Sequence, residues 1–232
     1  AREFDGQTYG TVVVDYMGKR ERVTSDSEQD LTNALIKAMS TMERKVYYLQ
    51  GHGEKEPNDT ERGGYSAVSG SLRKDNYMVE RLVLAQMKDV PADATVVLVA
   101  GPTTDLLPTE ADAIRRYLAR QGKLMVMLDP QVGPKAVPLP NLEGIIKEWG
   151  ITPGNNVVVD VSGATNEPSI AVALTYPMHP ITERFATLTI YPLARSVEPV
   201  SGGTNGHVAQ AIVETSRQSW AEANLASLTG EA

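Results

Sequence analysis

The chain has 232 residues, 41% of them hydrophobic, with 22 basic against 29 acidic side chains, a formal charge of −7 and no cysteine. That length allows a sizeable core, in one large domain or a domain with an appendage. The acidic balance, without any Lys/Arg block, argues against nucleic acid, because affinity for phosphate backbones comes from clustered cations. The missing cysteine excludes disulfides, thiolate zinc sites and a cysteine nucleophile.

No run approaches the roughly 18 consecutive apolar residues of a membrane span, and no charged segment followed by an apolar one opens the chain. The ends, Ala1 to Asp5 and Leu228 to Ala232, carry neither an initiator methionine nor an evident stop signal. The sequence is therefore expected to be a piece of a longer protein.

In chain order, Thr11 to Val14 and Arg22 to Thr24 flank Met17-Gly18-Lys19-Arg20, which predicts a hairpin with Gly18 in its turn. Ser25 stands three residues before Glu28, a capping-box spacing, and Leu31, Leu35, Ile36 and Met39 recur at helical intervals. The pattern predicts one amphipathic helix to Met42 that lays this apolar face on something else.

From residue 46 strands and helices alternate. Strands are predicted at Val46 to Gln50, Tyr77 to Leu84, Thr95 to Ala100, Lys123 to Leu128 and Asn156 to Asp160, and helices at Gly64 to Lys74, Thr109 to Arg120 and Leu142 to Trp149. Alternation of this kind predicts an α/β fold with three layers and a mainly parallel sheet. The unbroken apolar runs Val96 to Val99 and Leu124 to Leu128 predict central strands buried on both sides, while Glu80 and Arg81 mark the second strand as an edge. The resulting order is 2-1-3-4-5, the flavodoxin-like arrangement, with its crevice between strands 1 and 3.

Three polar turns would converge on that crevice: Gly51-His52-Gly53-Glu54, Gly101 to Asp105, and Asp129-Pro130-Gln131. Beyond Val161 further strands are predicted at Ser169 to Thr175, Ala186 to Ile190 and Val208 to Thr215, interrupted by Tyr176 to Pro180 and by the Gly-rich Ser201 to Gly206. The chain therefore divides into residues 1–44, a hairpin and helix packing on the main domain; 45–161, the α/β domain; and 162–232, a β-rich extension of the same unit, expected to be truncated.

The candidate site residues are His52, Glu54, Gly101, Thr103, Thr104, Asp129 and His179. His52 and Glu54 could serve as base and acid, as a ligand pair, or as a handle for a sugar or peptide, and the flanking glycines would let a ligand approach the backbone. Equally, Gly51 and Gly53 make the turn and His52 bonds a neighbouring backbone group. A metal would need His52 joined by His179 or Asp129, and no His-x-Glu-x-His or His-Glu-x-x-His set is present, so none is expected.

There is no Gly-x-Ser-x-Gly elbow; Ser66, Ser69 and Ser71 fall on a predicted helix and read as surface. No Gly-x-Gly-x-x-Gly follows a strand to open a helix, so no nucleotide cofactor is expected. The polar segment Lys55 to Gly63 reads as a mobile lid or tether beside the crevice.

Taken together, Tyr47 to Glu54, Val90 to Ala94 leading to Val97 to Pro102, Gly122 to Leu124 with Leu128 to Pro130, and His179-Pro180-Ile181-Thr182 resemble a known family. It is the extracytoplasmic region of auxiliary components of ABC-type transport systems, which includes gliding-motility auxiliary proteins and is distantly similar to a domain of intraflagellar transport proteins. Ser25 to Ala38 resembles the helix before the family's first strand, and Ser219 to Glu222 a motif near its far end.

The resemblance implies a glutamine-amidotransferase-like α/β fold and a periplasmic domain of an inner-membrane protein, anchored through segments outside this sequence. It implies permease and ATPase subunits of the same system as partners, with a polysaccharide or other extracellular polymer as a further candidate. It brings no catalytic residues and no cofactor, and amidotransferase chemistry needs the absent cysteine, so the fold would serve binding. The alternative reading is a hydrolase or carbohydrate-active enzyme using His52 and Glu54.

Overall fold

The computed structural model describes residues 10–40, 43–131 and 136–224; the expected end of the first helix at 41–42 and both chain ends lie outside them. Strands β1 (Val12–Tyr16) and β2 (Lys19–Val23) pair antiparallel, Tyr16 opposite Lys19, around the Met17-Gly18 turn. Helix α1 (Glu28–Met39) follows.

The N-cap of α1 is Ser27 and not Ser25: the Ser27 hydroxyl accepts the Asp30 N–H at 3.2 Å, while Ser25 Oγ accepts the N–H of Ser27. Both serines have an acid three residues on, and the one nearer the helix takes the orphan donor. The packed side also differs from expectation. Ala34 and Ala38 are buried, whereas Leu35, Ile36 and Met39 stay 49%, 44% and 57% exposed. Lys37 pairs with Glu21 of β2 at 2.7 Å, and Lys19 donates to the Ser40 carbonyl, so polar groups of the hairpin fasten the helix.

The central sheet runs β4 (Tyr77–Leu82), β3 (Arg44–Leu49), β5 (Ala94–Ala100), β6 (Leu124–Met127). It is parallel: β3 pairs parallel with β4 and β5, with Val46 opposite Val79 and Val96. The Val97 and Gly101 N–H groups meet the Lys123 and Met127 carbonyls in the same sense along the chain. Tyr48, Leu49, Val97 and Val99 are fully buried, as strands covered on both faces require. The fold is thus mixed α/β, the first four strands follow the expected order, and β4 is the edge its charges foretold.

The fifth strand departs from expectation. Strand β8 (Val157–Asp160) pairs antiparallel with β12 (Ser219–Glu222), Val158 opposite Ala221, and does not extend the parallel sheet. Among the described residues β6 therefore ends the sheet, and Met125, expected in a doubly covered strand, is 51% exposed. Two more antiparallel pairs complete the β-rich region: β7 (Ile151–Pro153) with β11 (Val197–Pro199), and β9 (Ile170–Ala173) with β10 (Thr189–Pro192). No strand forms at Val208 to Thr215; an isolated Thr204 to His207 bridge precedes it.

Helices α2 (Ser66–Lys74), α3 (Pro108–Ala119) and α4 (Pro140–Glu148) lie within two residues of the predicted ends. Ser69 is fully buried, contrary to its reading as surface.

The segment Lys55 to Gly63 is a hydrogen-bonded loop and not a free lid. Tyr65 N–H bonds Glu56 O, Ser66 N–H bonds Asp59 O, Glu61 N–H bonds the Asp59 carboxylate, Arg73 bonds Asn58, and Arg81 pairs with Glu56. The loop closes so tightly that a Cβ on Gly64 would overlap the Asp59 carbonyl. Gly64→Ala is accordingly expected to cost about 1–3 kcal/mol, the range for overpacking, read as a lowered urea midpoint.

The residues cluster into two compact units. One holds those up to 51 with 55–99 and 117–125; the other holds 52–54, 100–116 and those from 126 onward. Among the described residues no helix is long and apolar enough to cross a membrane.

Candidate functional site

The Gly51 to Glu54 turn leaves β3, and from His52 onward it belongs to the second unit with the 101–105 loop and the start of α3. His52 lies between two carboxylates: Nδ1 is 3.0 Å from Glu54 Oε1 and Nε2 is 2.8 Å from Glu110 Oε2. Side-chain exposures are 8%, 0% and 3% for His52, Glu54 and Glu110. A carboxylate accepts, so both ring nitrogens donate, which is the pattern of an imidazolium. The bond from Glu54 raises His52 above the ordinary histidine range; burial opposes this, and the Glu110 bond adds to it.

Each carboxylate also takes a backbone donor, His52 N–H on Glu54 at 2.7 Å and Leu107 N–H on Glu110 at 2.8 Å. The second bond caps the first turn of α3, whose dipole favours an anion there.

The His52 carbonyl is equally engaged. It accepts the Thr103 and Thr104 N–H groups at 2.8 and 3.0 Å and the Thr103 hydroxyl at 3.2 Å. Gly53 sits at φ +79°, and a Cβ there would run into the Thr103 side chain. Glycine is needed at this point both for the left-handed backbone and for the close approach. Asp105, ending the same loop, caps α4: its two oxygens accept the Asn141 and Leu142 N–H groups at 2.8 and 3.1 Å. The polar groups of this loop system are thus largely spent on each other.

Of the residues singled out from sequence, His52 and Glu54 come together and are buried. Gly101 is buried beside Met127, its N–H on that carbonyl at 2.9 Å. Thr103 and Thr104 are exposed, tied through their backbone to His52, and Asp129 is exposed two residues past β6. His179 does not join them. Its Nδ1 accepts the Ile181 N–H at 3.1 Å and its carbonyl accepts from Thr182 and Glu183, so it builds its own turn.

With both ring nitrogens of His52 engaged by carboxylates, neither faces a substrate. Among the described residues no cluster of three His, Asp or Glu could hold a metal ion.

Sequence reasoning missed Glu110, and it placed Asp105 in the polar 101–105 turn without its role as the cap of α4. Glu110 carries a weak local signal, an acid two residues after the proline that opens α3. Asp105 carries none, since its helix begins 35 residues later.

A third buried acid, Asp160 at the end of β8, was also not anticipated. Its Oδ1 accepts the Ser216 hydroxyl at 2.7 Å and the Ser162 N–H at 2.9 Å, and its Oδ2 accepts the Val172 N–H of β9 at 3.1 Å. Burial pushes this carboxyl up, but the bonds from Ser216, Ser162 and Val172 outweigh it and hold the group at about 2.

The mmIFT52 N-terminal domain has a similar fold, with a TM-score of 0.57 at 19% identity over 75% of this chain and 79% of that one. No curated protein matches the chain by sequence. A family profile described as ABC-type uncharacterized transport system matches residues 43–231, a span that begins after α1 and takes in the His52 turn, Glu110 and the β-rich region. By that match the chain belongs to this family of ABC-type transport auxiliary proteins.

Proposed function

We propose that the chain is the periplasm-facing domain of a membrane-anchored auxiliary subunit in an ABC-type transport or gliding-motility system, and that it works by binding. Family membership supports the transport setting. The observation that carries the binding reading is the inward turn of the site's chemistry: His52, Glu54 and Glu110 are buried on one another, while Thr103 and Thr104 are exposed on a loop bonded to the His52 carbonyl and Asp129 is exposed just past β6. Rigid loops presenting short polar side chains suit recognition of a protein surface, because little order is lost on docking.

The permease and ATPase subunits of the same system are the partners of first choice, with an extracellular polysaccharide as the other candidate. The amidotransferase-like fold would then be a scaffold for recognition and not for its usual chemistry.

Adding positive charge at these exposed residues tests this. With the auxiliary protein co-purified from membranes alongside its permease and ATPase, Thr103→Arg and Asp129→Arg are expected to weaken association at least about tenfold, or 1.4 kcal/mol. Unchanged association, together with unchanged retention on polysaccharide, would remove these residues as the working surface.

A further inference from the structure

Among the described residues the two carboxylates on either side of His52 have no cation but its imidazolium. Among the described residues neither Glu54 nor Glu110 has a lysine or arginine within ion-pair distance; each bonds there to His52 and to one backbone N–H. The charged groups that bear on the imidazole are Glu54 from its own turn and Glu110 from α3, while Asp105 of the 101–105 loop bonds the start of α4. A neutral imidazole carries one N–H and one lone pair. On loss of the proton one buried carboxylate would therefore face a nitrogen lone pair with no donor between, a costly arrangement in a low-dielectric interior.

The same residue holds the neighbouring loop through its carbonyl, which accepts from Thr103 twice and from Thr104 once. A change in how the His52 ring is held reaches these bonds directly. We propose that Glu54, His52 and Glu110 form a proton-controlled latch, closed when His52 is charged and clamping the Thr103-Thr104 loop, and open when His52 is neutral, releasing that loop.

The sign follows from the direction of the shift. His52 gains its partners only on folding, and its proton is held more tightly than at the ordinary 6.5. The latch is closed below that value and opens as pH rises through the raised one. It stands without the docking reading, and only its effect on partner binding depends on that reading.

Amide hydrogen exchange on the isolated protein tests it. After correction for base catalysis, protection at the Thr103 and Thr104 N–H groups is expected to fall at least about tenfold between about pH 6 and pH 9, with the β5 core amides unchanged. His52→Gln cannot titrate and should remove this pH dependence. Glu110→Gln deletes one of the two anions and should move the opening to lower pH.

Protection at Thr103 and Thr104 that is constant with pH, or that falls equally in His52→Gln, would overturn the latch. Should the variants not fold, the wild-type imidazole nitrogens read by NMR decide: two bound protons at about pH 6 and one at about pH 9 sustain it, and a single state throughout sinks it. Partner association measured at both values is a separate reading, so a failed docking surface and a failed latch give different results.

Discussion

Replacing His52 with alanine is expected to destabilise the protein by about 3–5 kcal/mol at about pH 6, the range for removing one partner of a buried ion pair. The reason is what stays behind. Glu54 and Glu110, with side chains 0% and 3% exposed, would be left as two anions in one buried space without a cation. Neutralising them in the same background, His52→Ala with Glu54→Gln and Glu110→Gln, should recover part of the loss, since amides tolerate the absence of a cation. Urea unfolding of the three proteins supplies the comparison.

The measurement also separates the two sequence-level readings of the turn. A histidine kept for catalysis commonly stands in a destabilised arrangement, so its removal leaves stability unchanged or improved. A loss below about 1 kcal/mol would therefore argue against the structural role of the triad.

Asp160→Ala is expected to cost about 3 kcal/mol, because it strands the Ser162 and Val172 N–H groups and the Ser216 hydroxyl around a buried void. Asp160→Asn should cost less, as one oxygen still accepts. The acid limb of the stability curve tests the charge directly. The folded protein holds Asp160 at about 2 against the ordinary 3.8. A depressed carboxyl stabilises above its unfolded value and loses that contribution as pH falls through the folded one. Wild-type stability should therefore drop as pH falls from about 4 to about 2, and Asp160→Asn should show a shallower drop over the same window. Equal slopes would mean that the three hydrogen bonds do not favour the charged form.

Much of the architecture was legible from local pattern. Val96 to Val99 reads as a buried strand because an apolar run between turn residues has few other ways to hide. The charges of Glu80 and Arg81 mark an edge because a central strand has no water for them, and β4 lies there. Helices α2 to α4 follow from the alternation of strand and helix segments along the chain. Local pattern misplaced details where two choices were equal within the window: Ser25 and Ser27 both precede an acid by three residues, and only the folded helix start selects Ser27.

What sequence determined by itself was the presence and type of the helices and of the four sheet strands, the parallel order of those strands, and a polar turn at the end of the first. Tertiary structure decided whom each element meets. Val157 to Asp160 has the composition of a strand whichever neighbour it takes, and only the fold gives it the antiparallel partner Ser219–Glu222 in place of the sheet edge. His52 likewise carries no sign in its own segment that Glu110, 58 residues away, will take its second nitrogen. Periodicity and turn chemistry act within a few residues, whereas the burial that turns Gly-His-Gly-Glu from an open site into a closed ionic triad depends on contacts between segments far apart in the chain.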